Sequence, residues 1–231
     1  MERKLYDKIE NYMLSCMEDS AHDKEHVYRV LFNALDIAET ESGVNYDILI
    51  SACLLHDVGR KEQFQNPELC HAEVGSVKAC RFLMELGCGE KFAISVRDCI
   101  LTHRFRKNRP PQSLEAKILF DADKLDVTGA IGIARTLMYK ADTAAPIYTL
   151  LPDGSISDGT QDASASFFRE YKVKLEKLYD RFYTKRGSEL ANVRQEIAVS
   201  YYRELLAEVS SSYQEGKKML GALLKENGDA G

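Results

Sequence analysis

No apolar run in this 231-residue chain approaches ~18 residues, the length a helix needs to cross a bilayer. The opening Met-Glu-Arg-Lys-Leu-Tyr-Asp also lacks the hydrophobic stretch of a signal peptide. We therefore expect a soluble, cytoplasmic protein. An excess of positive charge is missing too: 31 Lys and Arg against 36 Asp and Glu leave a net charge of −5. That argues against a general binder of nucleic-acid polymers or anionic membranes. Cys-x-x-Cys spacing is absent. The six cysteines (Cys16, Cys53, Cys70, Cys80, Cys88, Cys99) are scattered, several within apolar helical runs. They read as reduced core thiols rather than a disulfide frame or a zinc ribbon. There is no internal repeat, no heptad sustained over several turns and no alternating strand pattern of useful length. Apolar residues at 45% and charged residues at 29% are ordinary globular values, so wholesale disorder is excluded.

What the chain does contain is helical periodicity, and the expected fold is all-α. Leu5, Ile9, Tyr12, Met13 and Cys16 mark a helix over 3–18. Ser20 and Asp23 offer caps for a second, whose buried face is Val27, Val30, Leu31, Ala34, Ile37 and Ala38 and which ends near Gly43. Asn45 can cap a third helix over 46–57, and residues 58–70, with Gly59, Asn66 and Pro67, read as a loop. Helices follow over 72–86 and 90–103, then a basic loop, Arg104-Phe-Arg-Lys-Asn-Arg, which two prolines close. Residues 114–140 read as one long helix, and Gly129 and Gly132 in it as sites where another helix backbone comes close. Residues 143–160 are rich in Pro, Gly, Ser and Thr and form a loop or small hairpin of a length often used for lids; Tyr148 in it reads as a surface aromatic. Two helices, 162–184 and 188–225, should complete the chain, with a disordered tail over Asn227–Gly231. The expected organisation is a helical core over 1–142, the loop at 143–160, and C-terminal helices over 161–231 packing on the core. Met84, Met138, Phe168, Tyr171, Phe182 and Tyr201 lie on helical stripes and are expected in the core.

One stretch organises the chemistry. Ala-Cys-Leu-Leu runs straight into His56-Asp57, with Gly59, Arg60 and Lys61 close behind. A carboxylate and an imidazole at the inner end of an apolar helix need a metal or a hydrogen-bonding network, because burying an unpaired charge is expensive. His26 points inward from the second helix, with His22-Asp23 one turn before it, and Asp121, Asp123 and Asp126 cluster downstream. His26, His56, Asp57 and Asp123 form a mixed N/O set suited to Mn²⁺, Mg²⁺, Fe²⁺, Co²⁺ or Ni²⁺. Alone, a histidine such as His26 is more often a satisfied core histidine, and Asp123 alone could be a cap or an ion-pair partner.

Three pieces, in order, resemble the HD-domain metal-dependent phosphohydrolase superfamily. They are His-Asp-x-x-His at His22–His26, Leu-Leu-His-Asp-Val-Gly-Arg at 54–60, and Asp-Ala-Asp-Lys-Leu-Asp at 121–126. The resemblance runs over residues 22–140, about half the chain. It implies a multi-helix bundle with a C-terminal helical extension, the metal ligands His26, His56, Asp57 and Asp123, and a divalent ion, Mn²⁺ favoured. Asp126, one turn from Asp123, could hold a ligand imidazole in its tautomer; for Asp121 a solvated helix face is an equal reading. Relatives such as the HD-GYP phosphodiesterases place two further histidines between the His-Asp and the last Asp. His71 and His103 stand in that order, though the GYP signature is absent. Three readings stay open for them: second-metal ligands, phosphate-contacting donors, or helix-end histidines.

The expected chemistry is hydrolysis of a phosphate ester or anhydride. Arg60, Lys61, His71 and His103 are expected to bind phosphate or act in catalysis, with the basic loop nearby. Either His71 or Lys61 could protonate the leaving group. The expected partner is a small anionic substrate such as a nucleotide, with nucleoside-triphosphate pyrophosphohydrolysis the narrower expectation and self-association left open. Two other classes compete: a di-iron oxygenase of the same fold, and a non-catalytic regulatory nucleotide-binding protein.

Overall fold

The computed structural model describes residues 1–17, 24–104 and 109–226. Ser20, His22-Asp23, Arg106, Lys107 and the tail 227–231, all named above, lie outside the described residues. The fold is all-α, as expected. Among the described residues the extended pairing is an isolated antiparallel bridge, Leu150↔Ile156, and no helix is long and apolar enough to cross a membrane.

The chain divides into two compact units, Met1–Asp126 with Arg181–Leu190, and Val127–Asp180 with the chain from Ala191 onward. The first is built from α1 (Arg3–Met17), α2 (Lys24–Glu39), α3 (Tyr46–Leu55), α4 (Arg60–Gln65), α5 (His71–Glu85), α6 (Glu90–Thr102) and α7 (Leu114–Leu125). Its centre is α3, which touches α1, α2, α5, α6 and α7. The sequence explains this, since α3 is apolar around its whole circumference and such a helix belongs inside. Leu49, Ala52, Cys53, Leu54 and Leu55 are fully buried. Asn45 starts α3 as expected, its side-chain oxygen accepting from the Ile48 N–H at 3.2 Å. The residues following α3, His56 and Asp57, are therefore delivered into the interior.

A backbone approach then fixes what they meet. A Cβ built on Gly59 would stand 2.4 Å from the His71 carbonyl oxygen and 2.5 Å from the Gly75 nitrogen. Only glycine lets the turn after Asp57 lie directly on the first turn of α5. Lys78 of α5 locks this turn by donating to the Val58 carbonyl at 2.7 Å and to Glu62 at 2.6 Å.

The second unit holds α8 (Gly129–Asp142), α9 (Phe167–Val173), a 3₁₀ turn (Leu175–Lys177) and most of α10 (Lys185–Glu226). Phe167, Phe168 and Tyr171 are buried there, and the Tyr171 ring stacks on Tyr202 at 4.0 Å.

Four sequence expectations need correction. The stretch 58–70 is not all loop: Arg-Lys-Glu-Gln-Phe-Gln are good helix formers and make α4, which ends where Asn66 donates back to the Glu62 carbonyl. The helix expected over 114–140 is two helices. It breaks after Leu125 because Asp126 turns inward, and the chain restarts at Gly129 with φ +60°, a conformation that favours glycine. Gly129 does meet another helix, with Arg194 Cβ at 2.9 Å from its would-be Cβ, but Gly132 packs on the nearby Val127 backbone instead. The helix expected over 162–184 starts only at Phe167, capped by Ser166, and gives way at Lys174. Finally, Met84, Met138 and Tyr201 are exposed and Phe182 half-buried, whereas Phe168 and Tyr171 are core.

Candidate metal centre

The histidines and aspartates that converge in the interior of the first unit stand near helix ends. His26 stands in the first turn of α2, His56 and Asp57 just past α3, His71 at the start of α5, His103 just past α6 and Asp123 in the last turn of α7. These converge in two sets. His26, His56 and Asp123 form one, and Asp57, His71 and His103 the other, each with ligand atoms within 4.8 Å of one another.

Asp57 joins the two sets. Its Oδ2 lies 3.6 Å from Nε2 of both His26 and His56, and its Oδ1 lies 3.3 Å from His71 Nε2 and 3.8 Å from His103 Nε2. Within the first set, Asp123 Oδ1 is 3.3 Å from His26 Nε2 and 4.0 Å from His56 Nε2. Asp57 is 2% exposed and Asp123 25%, the other four being almost wholly buried, so the centre opens past Asp123.

The imidazoles are all oriented the same way. His26 Nδ1 donates to Asp126 at 2.7 Å, His56 Nδ1 to the Cys53 carbonyl at 2.7 Å, His71 Nδ1 to Gln63 at 2.6 Å and His103 Nδ1 to the Ile100 carbonyl at 2.6 Å. With each Nδ1 hydrogen spent outward, each Nε2 faces inward, the arrangement found around protein-bound metals. The inward nitrogens meet in pairs, His26 with His56 and His71 with His103, both at 3.3 Å.

The electrostatics differ between the halves. Burial pulls His26 down, but its hydrogen bonds with Asp123, Asp126 and Asp57 outweigh this and hold it up at about 10. In the bare protein a proton on His26 thus stands where a cation would. Burial takes His71 down to about 2, the Asp57 charge only partly opposing it, and burial with the His56 charge takes His103 to about 4. Both imidazoles are held below the ordinary histidine range, and their Nε2 atoms face Asp57 Oδ1, which accepts from Arg60. A cation would complete that arrangement. Burial pushes Asp57 and Asp123 up, yet the neighbouring imidazoles, and Arg60 beside Asp57, keep both below the ordinary carboxylate range. Both are ready anionic ligands, and the mixed N/O set suits a hard or borderline divalent ion.

The remaining predicted residues are placed as follows. Arg60 Nε donates to Asp57 Oδ1 at 2.9 Å, so it braces the shared carboxylate as well as bordering the site. Lys61 is half-buried in the first turn of α4. His71 and His103 each commit Nδ1 to a protein acceptor and turn Nε2 toward Asp57. Arg104 is directed to Cys70 Sγ at 3.7 Å, and Arg109 pairs with Glu73 at 2.6 Å on the surface. Asp121 is not on a solvated face: it is fully buried and accepts from Tyr183 and Thr184.

Sequence reasoning missed Arg29, Gln63 and Lys78. Arg29 braces Asp126 through two bonds, 2.7 and 3.1 Å. Its signal was available, since a residue three after His26 shares its helix face. Nothing local marked Gln63 or Lys78.

The family model described as HD domain matches residues 24–128. The uncharacterised Bacillus subtilis protein YpgQ is 31% identical over 210 residues, covering 88% of this chain and 93% of YpgQ. The crystal structure of YpgQ in complex with ADP is similar at 28% identity and a TM-score of 0.69, covering 88% of this chain and 97% of that one. A solved HD-superfamily hydrolase from Bacillus thuringiensis, 28% identical, has a TM-score of 0.69 over 90% of this chain and 98% of its own.

Proposed function

The chain belongs to the HD-domain family, and from that premise we propose that it is a metal-dependent phosphohydrolase acting on a nucleotide. The narrower reading is a nucleoside-triphosphate pyrophosphohydrolase. The observation that carries the proposal is the Asp57 carboxylate, with one oxygen turned to His26 and His56 and the other to His71 and His103. His26, His56, Asp123 and one oxygen of Asp57 would hold one divalent ion, and His71, His103 and the other oxygen a second. Ions bound there supply Lewis acidity toward a phosphoryl oxygen and an activated water nucleophile. The crystal structure of YpgQ with ADP supports a nucleotide as the ligand class.

The protein's own groups supply the rest. In-line attack on phosphorus builds negative charge on the equatorial oxygens, and preorganised cations stabilise it. Arg60, fixed on Asp57 and 29% exposed, borders that position, and Lys61 follows it in the first turn of α4. Of the two candidate acids, His71 is set aside: its Nδ1 hydrogen is committed to Gln63 and its pKa of about 2 leaves Nε2 bare at neutral pH. Lys61 is the proton donor we assign to the leaving group. Asp126 and the Cys53 and Ile100 carbonyls keep the imidazoles in the tautomer a metal requires.

A release assay over a nucleotide panel with Mn²⁺, Mg²⁺, Co²⁺ and Ni²⁺ tests the proposal. Metal-dependent release of phosphate or pyrophosphate is expected, and its absence with every ion and nucleotide would refute it. The joined sets also suit a pair of irons, so the competing oxygenase reading is met by metal analysis. Two irons, O₂ consumption and no phosphate release would favour it.

A further inference from the structure

The mechanism makes no use of Asp121, although this carboxylate has no exposed surface. It lies on α7 two residues before Asp123, about 200° around the helix and therefore on the opposite face. What it binds is a single distant stretch. It accepts from the Tyr183 N–H at 2.9 Å, from the Thr184 N–H at 2.7 Å and from the Thr184 hydroxyl at 2.7 Å. That hydroxyl in turn accepts from the Gly187 N–H at 3.1 Å, capping α10. Gly187 has no room for a side chain, because its Cβ would stand 2.7 Å from Thr184 Oγ1 and 2.8 Å from Asp121 Oδ2. The same stretch makes two more ties. The Arg181 carbonyl accepts from Lys124 of α7 at 2.6 Å, and Arg186 grips Asp36 of α2 through bonds of 2.9 and 3.1 Å.

The stretch Arg181–Leu190 is thus bonded to α2 and to α7. Those helices carry His26 and Asp123, whose facing atoms are 3.3 Å apart. We propose that this stretch is a positioning clamp: by gripping the back of α7 and the side of α2, it sets how far Asp123 reaches toward His26 and so tunes the affinity of that half of the centre for its metal. The proposal rests on the metal-centre reading above. It also gives the first turn of α10 a role in the site, although none of its side chains enters it.

The test is titration of the metal-free full-length protein with Co²⁺ alone, followed by its visible absorption, alongside thermal unfolding of the same samples. Thr184→Val and Gly187→Ala should each raise the Co²⁺ dissociation constant about tenfold, and Thr184→Ser should restore it. Arg186→Gln removes the surface grip on α2 together with the 3.8 Å ion pair to Glu189 and serves if the buried variants fail to fold; it should weaken binding in the same direction. Leu83→Ala, a cavity in α5 away from the clamp, should lower the unfolding temperature without changing the Co²⁺ constant. Wild-type affinity in Thr184→Val and Arg186→Gln would overturn the proposal, as would an equal loss of affinity in Leu83→Ala. A wild-type protein that takes up no Co²⁺ would overturn the metal-centre reading itself and the clamp with it.

Discussion

Replacing Asp126 by asparagine perturbs the centre without touching a proposed ligand, and its cost can be worked from the bonds it breaks. The carboxylate is 1% exposed and accepts from His26 Nδ1 at 2.7 Å and from Arg29 at 2.7 and 3.1 Å. Asparagine keeps one acceptor oxygen, so its amide must point N–H at N–H toward either His26 or Arg29. A charge-assisted bond is lost, worth about 1.5–3 kcal/mol. Arg29, 31% exposed, recovers part of this in water, so unfolding stability should fall by about 1–2 kcal/mol. Metal affinity should fall about 10–100-fold, which corresponds to about 1.4–2.7 kcal/mol. The pH dependence carries a sign. His26 is held up at about 10, partly by Asp126, so at neutral pH an incoming metal must displace its proton. The wild-type association constant should therefore rise about tenfold per pH unit through neutrality. The variant, whose His26 loses one of its anionic partners, should show a slope no steeper and an affinity gap that widens with pH. Calorimetric titration with Mn²⁺ in buffers of different ionisation enthalpy measures both affinity and proton release. Unchanged affinity, or no proton released by the wild type at pH 7, would refute the reasoning.

Other perturbations follow from the same geometry. Asp57→Ala removes the carboxylate common to both sets and should abolish turnover and metal uptake while the far-ultraviolet helix signal survives; retained turnover would contradict the assignment. Arg60→Ala should lower kcat/KM by about tenfold or more through lost charge stabilisation while the protein still binds metal, as chelator competition will report. Gly59→Ala forces a methyl group into the α5 backbone at 2.4 Å and should cost at least about 2 kcal/mol in urea unfolding. A neutral result there would mean that the turn after Asp57 is free to move.

The parts of this fold legible in the sequence were those set by local chemistry. Asn45 followed by a mostly apolar run announced both the start of α3 and its burial, and the adjacent polar pair could only end inside. The break at Asp126 was hidden because the apolar periodicity runs on through Ala130, Ile133, Ala134 and Leu137 despite the poor helix formers Val127, Thr128 and Gly129. What ends α7 there is a hydrogen bond to His26, 100 positions away in the chain. A solvated face stayed an equal reading for Asp121 for the same reason, since its donors lie 62 and 63 positions downstream. His71 and His103 left three readings open because spacing does not report which ring nitrogen faces inward. That is decided by the Gln63 side chain and the Ile100 carbonyl. The short α4 escaped because glycine, asparagine and proline bracket a stretch whose interior is helix-forming.

The central claim is that Asp57 joins two metal-binding sets, and counting ions tests it most directly. Elemental analysis of protein purified and reloaded with Mn²⁺ should give two ions per chain for the wild type, one for His71→Ala and none for Asp57→Ala. No bound ion in the wild type, or a full complement in Asp57→Ala, would contradict the account.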